Sequence, residues 1–343
     1  MRRLPMLLDV SFAVDSNPLP VAARVAHAAE EIGFAAIWTP ETGHNGFLPL
    51  TLAAEHTSRI GIGTAVAIAF PRSPMVTAQI AWDLAAFSGG RFILGLGTQV
   101  KAHIERRFST PWDAPVARLH DYILALRAIW QSWQTGGRLN YRGRFYQHTL
   151  MTPFFSPGPI DHPDIPIYIA GVNSGLAQLA GELCDGFHAH PLNSAKYTAE
   201  VLRPQIAVGA QKAGRDVGAC AIAGSAFVIT GPDHETREKL RGFVRQQISF
   251  YGSTPTYRAV LDCHGWGEIG EQLSQLAAQQ RWGEMPALIT PEMEATFAVE
   301  ADPDEVGHAL RERYAGLLDR IGLYIPFIPG QMDDFWRKLA VDL

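Results

Sequence analysis

Two rhythms of apolar residues alternate along the chain. Short runs rich in β-branched and aromatic residues predict strands at Leu7–Val14, Ala35–Thr39, Ile60–Phe70, Phe92–Gly97, Ile167–Ala170, Phe187–Ala189, Ala221–Ile229 and Ile321–Ile325. Between or after them, apolar residues at helical spacing predict helices over Val21–Ile32, Leu48–His56, Pro74–Phe87, Val116–Trp133, Ala195–Ala213, His234–Ser249 and Pro303–Leu318. Pro74 falls in a first helical turn, where its missing N–H costs nothing. The run from Pro166 to Pro191 packs strand, polar loop, helix and second strand into one short unit. Its Gly171-Val172-Asn173-Ser174 loop at a helix N-terminus offers converging N–H groups and a positive dipole end, both suited to a phosphate.

Strands alternating with helices imply a parallel sheet with right-handed crossovers. Eight such strands predict an α/β chain folded as a (β/α)8 TIM barrel, a single domain over residues 1–343. A doubly wound dinucleotide fold would place G-x-G-x-x-G after the first strand, and the turn there, DSNPLP, lacks it. Two segments interrupt the alternation, at about 134–164 and 251–291. The first predicts a hairpin, Leu139–Tyr141 against Phe145–Gln147, followed by Pro- and Gly-rich sequence. The second carries Trp266, Trp282 and a helix near Ile269–Gln280. Insertions of this length in a compact barrel act as lids, substrate walls or interface elements.

Composition narrows the partners. A hydrophobic content of 47% supplies a large core. The net charge of -5 gives no basic field for nucleic acid and no patch for a membrane surface. Arg2 and Arg3 precede an apolar run, but Asp9 breaks it, which predicts a barrel strand and not a secretion signal. No apolar stretch approaches the ~18 residues of a membrane span. Cys184, Cys220 and Cys263 are odd in number and widely spaced, which predicts a cytoplasmic, reducing setting without disulfides.

Barrel enzymes carry their chemistry where strands end and loops begin. The polar residues at those positions are Glu41 and His44 after strand two, Thr98, Gln99 and His103 after strand four, Asn173 and Ser174 after strand five, and His188 and His190 at strand six. Strand one holds no histidine pair, so a catalytic metal site is not expected. G-x-S-x-G is also absent, which argues against a serine hydrolase.

Four pieces of the chain resemble the bacterial luciferase-like monooxygenase superfamily, in particular its branch of coenzyme F420-dependent oxidoreductases. They are EEIGFAAIWTPETGH, RIGIGTAVAIAFPRSPMVTAQIAWDLAAFSGGRFILGLGTQ, HDYILALRAIW and PIYIAGVNSGLAQLAGELCDGFHAH. The resemblance implies a deazaflavin lying across the mouth of the barrel, exchanging a hydride at its C5 with a small organic substrate. It implies a phosphate site at Gly97, Thr98, Gly171, Val172, Asn173 and Ser174, with Gln99 and His190 also beside the cofactor. A non-prolyl cis peptide is expected near Ala67–Ile68, behind the ring. The family's ring-side acid matches Glu41, but the acid that many members carry after strand four is replaced by Gln99-Val100. A general acid would then be Glu41, His44 or His103. The alternatives are an FMN-dependent monooxygenase using oxygen and a non-catalytic flavin-binding protein. A homodimer is expected from the family.

Overall fold

A computed structural model describes residues 5–15 and 17–343; Arg2, Arg3 and Ser16 lie outside them. Eight parallel strands form a closed barrel: β1 (Leu7–Ser11), β2 (Ala36–Thr39), β3 (Gly61–Thr64), β4 (Phe92–Gly97), β5 (Ile167–Gly171), β6 (Gly186–Ala189), β7 (Ala221–Ile229) and β8 (Arg320–Leu323). Each strand pairs with its neighbours in sequence, and β8 returns to β1 with Ile321 opposite Leu8. Closure leaves no barrel edge open for further pairing.

The connecting helices form the outer layer: α1 (Ala22–Ile32), α2 (Leu48–His56), α3 (Pro74–Phe87), α4 (Pro115–Thr135), α5 (Ser174–Leu183), α6 (residues 195–212), α7 (His234–Gly252) and α8 (Asp333–Asp342). This is the predicted TIM barrel. Every second strand residue points outward, so Ile62, Leu94, Leu96, Ile167, Ile169 and Ile321 are buried between strands and helices. In α1 the residues Ala22, Val25, Ala26, Ala29 and Ile32 make one buried stripe. Gly33 ends α1 with φ 104°, a left-handed conformation that a side chain disfavours. α5 and α6 approach to backbone contact, because a Cβ on Gly181 would lie 1.9 Å from the Ile206 carbonyl oxygen and one on Gly209 equally close to that of Gln178. That contact fixes where the N-terminus of α5 points.

Several expected boundaries shift. The first strand stops at Ser11, short of Val14. The expected continuous strand Ile60–Phe70 is two pieces, β3 and Ala67–Ile68, separated by a cis Ala65–Val66 peptide. The cis bond therefore precedes the predicted Ala67–Ile68 position by two residues. The hairpin pairs Tyr141–Arg142 with Gln147–His148, a wider loop than predicted. Its register follows from Asp121 on α4, whose Oδ2 accepts the N–H groups of Phe145 (2.5 Å) and Tyr146 (3.0 Å) while Oδ1 takes the Tyr141 hydroxyl. α6 contains a π-helical turn over Thr198–Leu202, and the helix predicted at Pro303–Leu318 covers only Val306–Tyr314. Several elements were not anticipated, among them the helices Lys101–Arg106, Arg258–Asp262, Pro291–Phe297 and Asp333–Asp342 and the strand Ala298–Glu300, which pairs with the end of β7.

Candidate functional site

The floor of the barrel lumen is polar and fully bonded at its centre. Asp9 on β1 receives two hydrogen bonds from the Arg320 guanidinium on β8, at 2.7 and 2.8 Å, and a third from Trp38 Nε1 on β2 at 2.8 Å. Tyr168 and His188 pack on the Trp38 ring at centroid distances of 5.7 and 4.7 Å. Burial, together with the nearby Arg320 charge, pushes the His188 imidazole down to about 3. Its Nε2 is buried without a hydrogen-bond partner.

Above this floor the inward positions turn small. Two residues beyond Tyr168, Ala223 and Arg320 on the same strand faces stand Ala170, Ser225 and Gly322. On β4 the inward face carries Gly95 and Gly97 beyond Ile93. Neither glycine could bear a side chain: a Cβ on Gly95 would lie 1.7 Å from the Thr64 carbonyl oxygen, and one on Gly97 2.5 Å from Val66 Cγ2. The backbone of Thr64 and the side chain of Val66 thus cover the two glycines, while the small residues Ala170, Ser225 and Gly322 widen the rest of the lumen into a well toward the C-terminal mouth.

One wall of the well is the interrupted third strand. The Thr64 hydroxyl donates to the Gly95 carbonyl at 2.7 Å and accepts the Gly95 N–H at 3.0 Å, bridging β3 and β4 just before the cis peptide. Beyond it, buried Ala67 and Ile68 resume pairing with Leu96 and Gly97. Glu41 braces this piece: its Oε2 accepts the Ile68 N–H and Arg72 Nη1, both at 2.7 Å, and Oε1 takes Arg72 Nη2. The Glu41 and Arg72 side chains are only 8% and 16% exposed. Glu41, expected as a catalytic acid, is thus held in a structural ion pair with both oxygens occupied.

Beside β4, the loop after β5 leads into α5. Asn173 holds the N-cap position but does not cap the helix; its Nδ2 donates instead to the Thr256 carbonyl at 3.1 Å. The first turn of the ten-residue α5 is left without a side-chain cap, with Asn173 and Ser174 exposed beside it. Val172 is buried, and its carbonyl accepts the Tyr197 hydroxyl at 3.0 Å, which fixes the loop from α6. Gly171 closes the strand where a Cβ would sit 2.7 Å from Leu176 Cβ. Thr98 is buried at the end of β4, and Gln99 takes φ 60° while its Oε1 accepts the Val100 N–H at 3.0 Å. Such backbone strain in a polar residue clusters at ligand sites.

His190 lies just past β6, on the same face as His188. Its ring is held between Tyr257 (4.3 Å) and the edge of Tyr251 (4.5 Å). Tyr251 in turn shares a 2.5 Å hydrogen bond with Tyr324, just past β8. Burial pushes the His190 imidazole down to about 4. His44 and His103 are both exposed, and among the described residues neither ring has a hydrogen-bond or ion-pair partner. Their loops meet through Arg107, which donates to the Thr42 carbonyl. The sequence reading missed Arg72, Val66, Tyr251 and Tyr257. The tyrosines lie in the 251–291 excursion, whose route back over the mouth no local pattern encodes. Among the described residues no three metal-ligating side chains converge, and no helix is long and apolar enough to cross a membrane.

The closed eight-stranded parallel barrel with its outer helices is a TIM barrel. The sequence profile described as luciferase-like monooxygenase matches residues 8–320, and the chain belongs to that family. An uncharacterized protein of Mycobacterium tuberculosis is 45% identical over 305 residues, covering 89% of this chain and 90% of its own. A putative coenzyme F420-dependent oxidoreductase of the same organism is 27% identical, covering 83% of this chain and 84% of its own. Among solved structures, the coenzyme F420-dependent tetrahydromethanopterin reductase of Methanopyrus kandleri superposes with a TM-score of 0.78, 21% identity and 99% coverage of both chains.

Proposed function

We propose that this chain is a coenzyme F420-dependent oxidoreductase acting on a small organic substrate. The observation that carries the reading is the pairing of two features at one barrel mouth. The uncapped N-terminus of α5 suits a phosphate, and the lumen lined by small residues beside the Ala65–Val66 segment, which packs directly on Gly95 and Gly97, suits a planar ring system. The name of the 27% identical relative supports the same cofactor. The residues present fit such a group. The first turn of α5 supplies N–H donors, Gly95 and Gly97 let the Thr64–Val66 segment pack directly on β4, and the His188 Nε2 is a buried polar atom lacking a partner.

When bound, F420 supplies or accepts a hydride at C5 of its deazaflavin. The chain's own residues hold and orient. Ser174 and its neighbours in the α5 first turn bind the phosphate end. Val66 and the Glu41–Arg72 brace shape the surface behind the ring. Tyr251, Tyr257 and Tyr324 wall the substrate side and exclude water. The oxygens of Glu41 are already occupied, so proton transfer falls to another group or to solvent. Titration of the protein with F420 and FMN in parallel, followed by fluorescence, tests the reading. F420 binding in the micromolar range or tighter, with FMN much weaker, is expected; preference for FMN would move the assignment to a flavin monooxygenase.

A further inference from the structure

We infer that His190 presents a neutral Nε2–H donor to the substrate, in one fixed tautomer, and that it selects substrates bearing a carbonyl oxygen near the reacting carbon. The inference rests on the oxidoreductase reading only for what occupies the well. The tautomer follows from the protein alone. His190 Nδ1 accepts the backbone N–H of Leu192 at 3.0 Å, so a neutral ring must carry its proton on Nε2.

The surroundings keep the ring neutral and the donor free. Tyr251 and Tyr257 are its ring neighbours, and neither supplies a charge. Burial raises both phenols above their ordinary range, so they remain un-ionised across neutral pH. The Tyr251 hydroxyl is already committed to Tyr324, and the Tyr324 hydroxyl contacts Gln247 at 3.4 Å. His188, two residues back on the same face, is likewise neutral. Among the described residues no acceptor pairs with His190 Nε2.

Position assigns this donor to the substrate and not to the back of the cofactor. In an eight-stranded barrel β3 and β7 stand opposite one another, so the ends of β6 and β8 face the cis Ala65–Val66 segment across the mouth. A ring lying on that segment turns its free face toward His190, Tyr251 and Tyr324. An uncharged N–H among aromatic rings suits a carbonyl oxygen; a carboxylate or phosphate would arrive there without a cation to balance it.

Two measurements test this. In the 15N-labelled protein without ligand, long-range nitrogen–proton correlation spectra should show His190 as the Nε2–H tautomer, unchanged between pH 5.5 and pH 8. The resonance is assigned by its loss in His190→Gln. An Nδ1–H tautomer, or titration near pH 6.5, would overturn the assignment whatever the cofactor proves to be. In the F420-loaded protein, binding of acetophenone and of its isostere α-methylstyrene is compared by the change each causes in the cofactor's fluorescence, a readout that the His190 variants keep. Wild type should bind the ketone about tenfold more tightly, as expected for one hydrogen bond that the alkene cannot accept. His190→Phe should abolish the preference, and His190→Gln, whose amide N–H reaches a similar place, should restore most of it. Equal responses to both probes, or none to either at their solubility limit, would overturn the proposal. Failure of F420 to bind would instead strike the cofactor reading and leave the tautomer result standing.

Discussion

Glu41 and Arg72 form a closed pair at the mouth of the barrel, tying the loop after β2 to the continuation of the adjacent third strand beyond the cis peptide. The carboxylate also accepts the Ile68 N–H at 2.7 Å, and Arg72 donates back to the Ile68 carbonyl at 3.0 Å. The pair therefore fixes the backbone of Ile68 at both its polar atoms.

This geometry predicts a positioning role. Glu41→Gln keeps the size but loses the charge against Arg72, and should weaken F420 binding about tenfold through a looser ring wall. The shape of the pH–rate profile should not change, because no titrating catalytic group is removed. Fluorescence titration and a pH series measure the two effects separately. A variant with normal cofactor affinity and a lost limb of the pH profile would restore Glu41 as the proton donor.

The barrel was legible in the sequence because strand and helix periods alternate cleanly and all eight barrel strands were predicted, β4 and β7 with both their ends. The α5 loop was legible too, since a strand running into Gly-Val-Asn-Ser at a helix start is a local signal. The rest depends on contacts distant in the chain. Glu41 meets Arg72 across 31 positions and Asp9 meets Arg320 across 311, so no window of sequence links them. Glu41 looked free because its partner is supplied by the loop after β3, and the cis bond moved to Ala65–Val66 because the break falls where Thr64 stops the ladder. His44 and His103 sit at the expected loop positions yet are exposed, which a strand-end rule does not resolve.

Ser174 opens α5, where no side chain caps the first turn. Ser174→Asp places a negative charge at the site proposed for a phosphate, so repulsion replaces a dipole attraction. F420 affinity should fall at least about tenfold, or ~1.4 kcal/mol, while Ser174→Ala changes it by less than about threefold. The same titration reads both. Unchanged affinity in the aspartate variant would move the phosphate elsewhere.

The lumen pair Asp9–Arg320 has side chains only 5% and 11% exposed. Removing one partner leaves the other charge buried, which costs about 3 kcal/mol or more. Asp9→Asn should therefore lower the urea midpoint by a corresponding amount, with Trp38 Nε1 also losing its charged acceptor. Asp9→Asn combined with Arg320→Met should recover part of the loss, because no buried ion remains. Additive losses in the double variant would show that packing, not charge, sets the cost.

His188 and His190 make the fold acid-sensitive in a defined window. Both imidazoles are held down, to about 3 and about 4, against an ordinary value of 6.5. Above pH 6.5 both states are neutral at these sites and the full stability is present. As pH falls below 6.5 the unfolded chain takes up protons that the folded chain refuses, so stability drops until the folded values are reached. At pH 5 the loss should be about 2 kcal/mol for each histidine, from 1.36 kcal/mol per pH unit over about 1.5 units. Unfolding curves in urea at pH 7 and pH 5 measure it. His190→Phe should reduce the difference between the two pH values by about 2 kcal/mol, because the contribution of His190 is gone. An unchanged difference in that variant would show that His190 protonates in the folded protein.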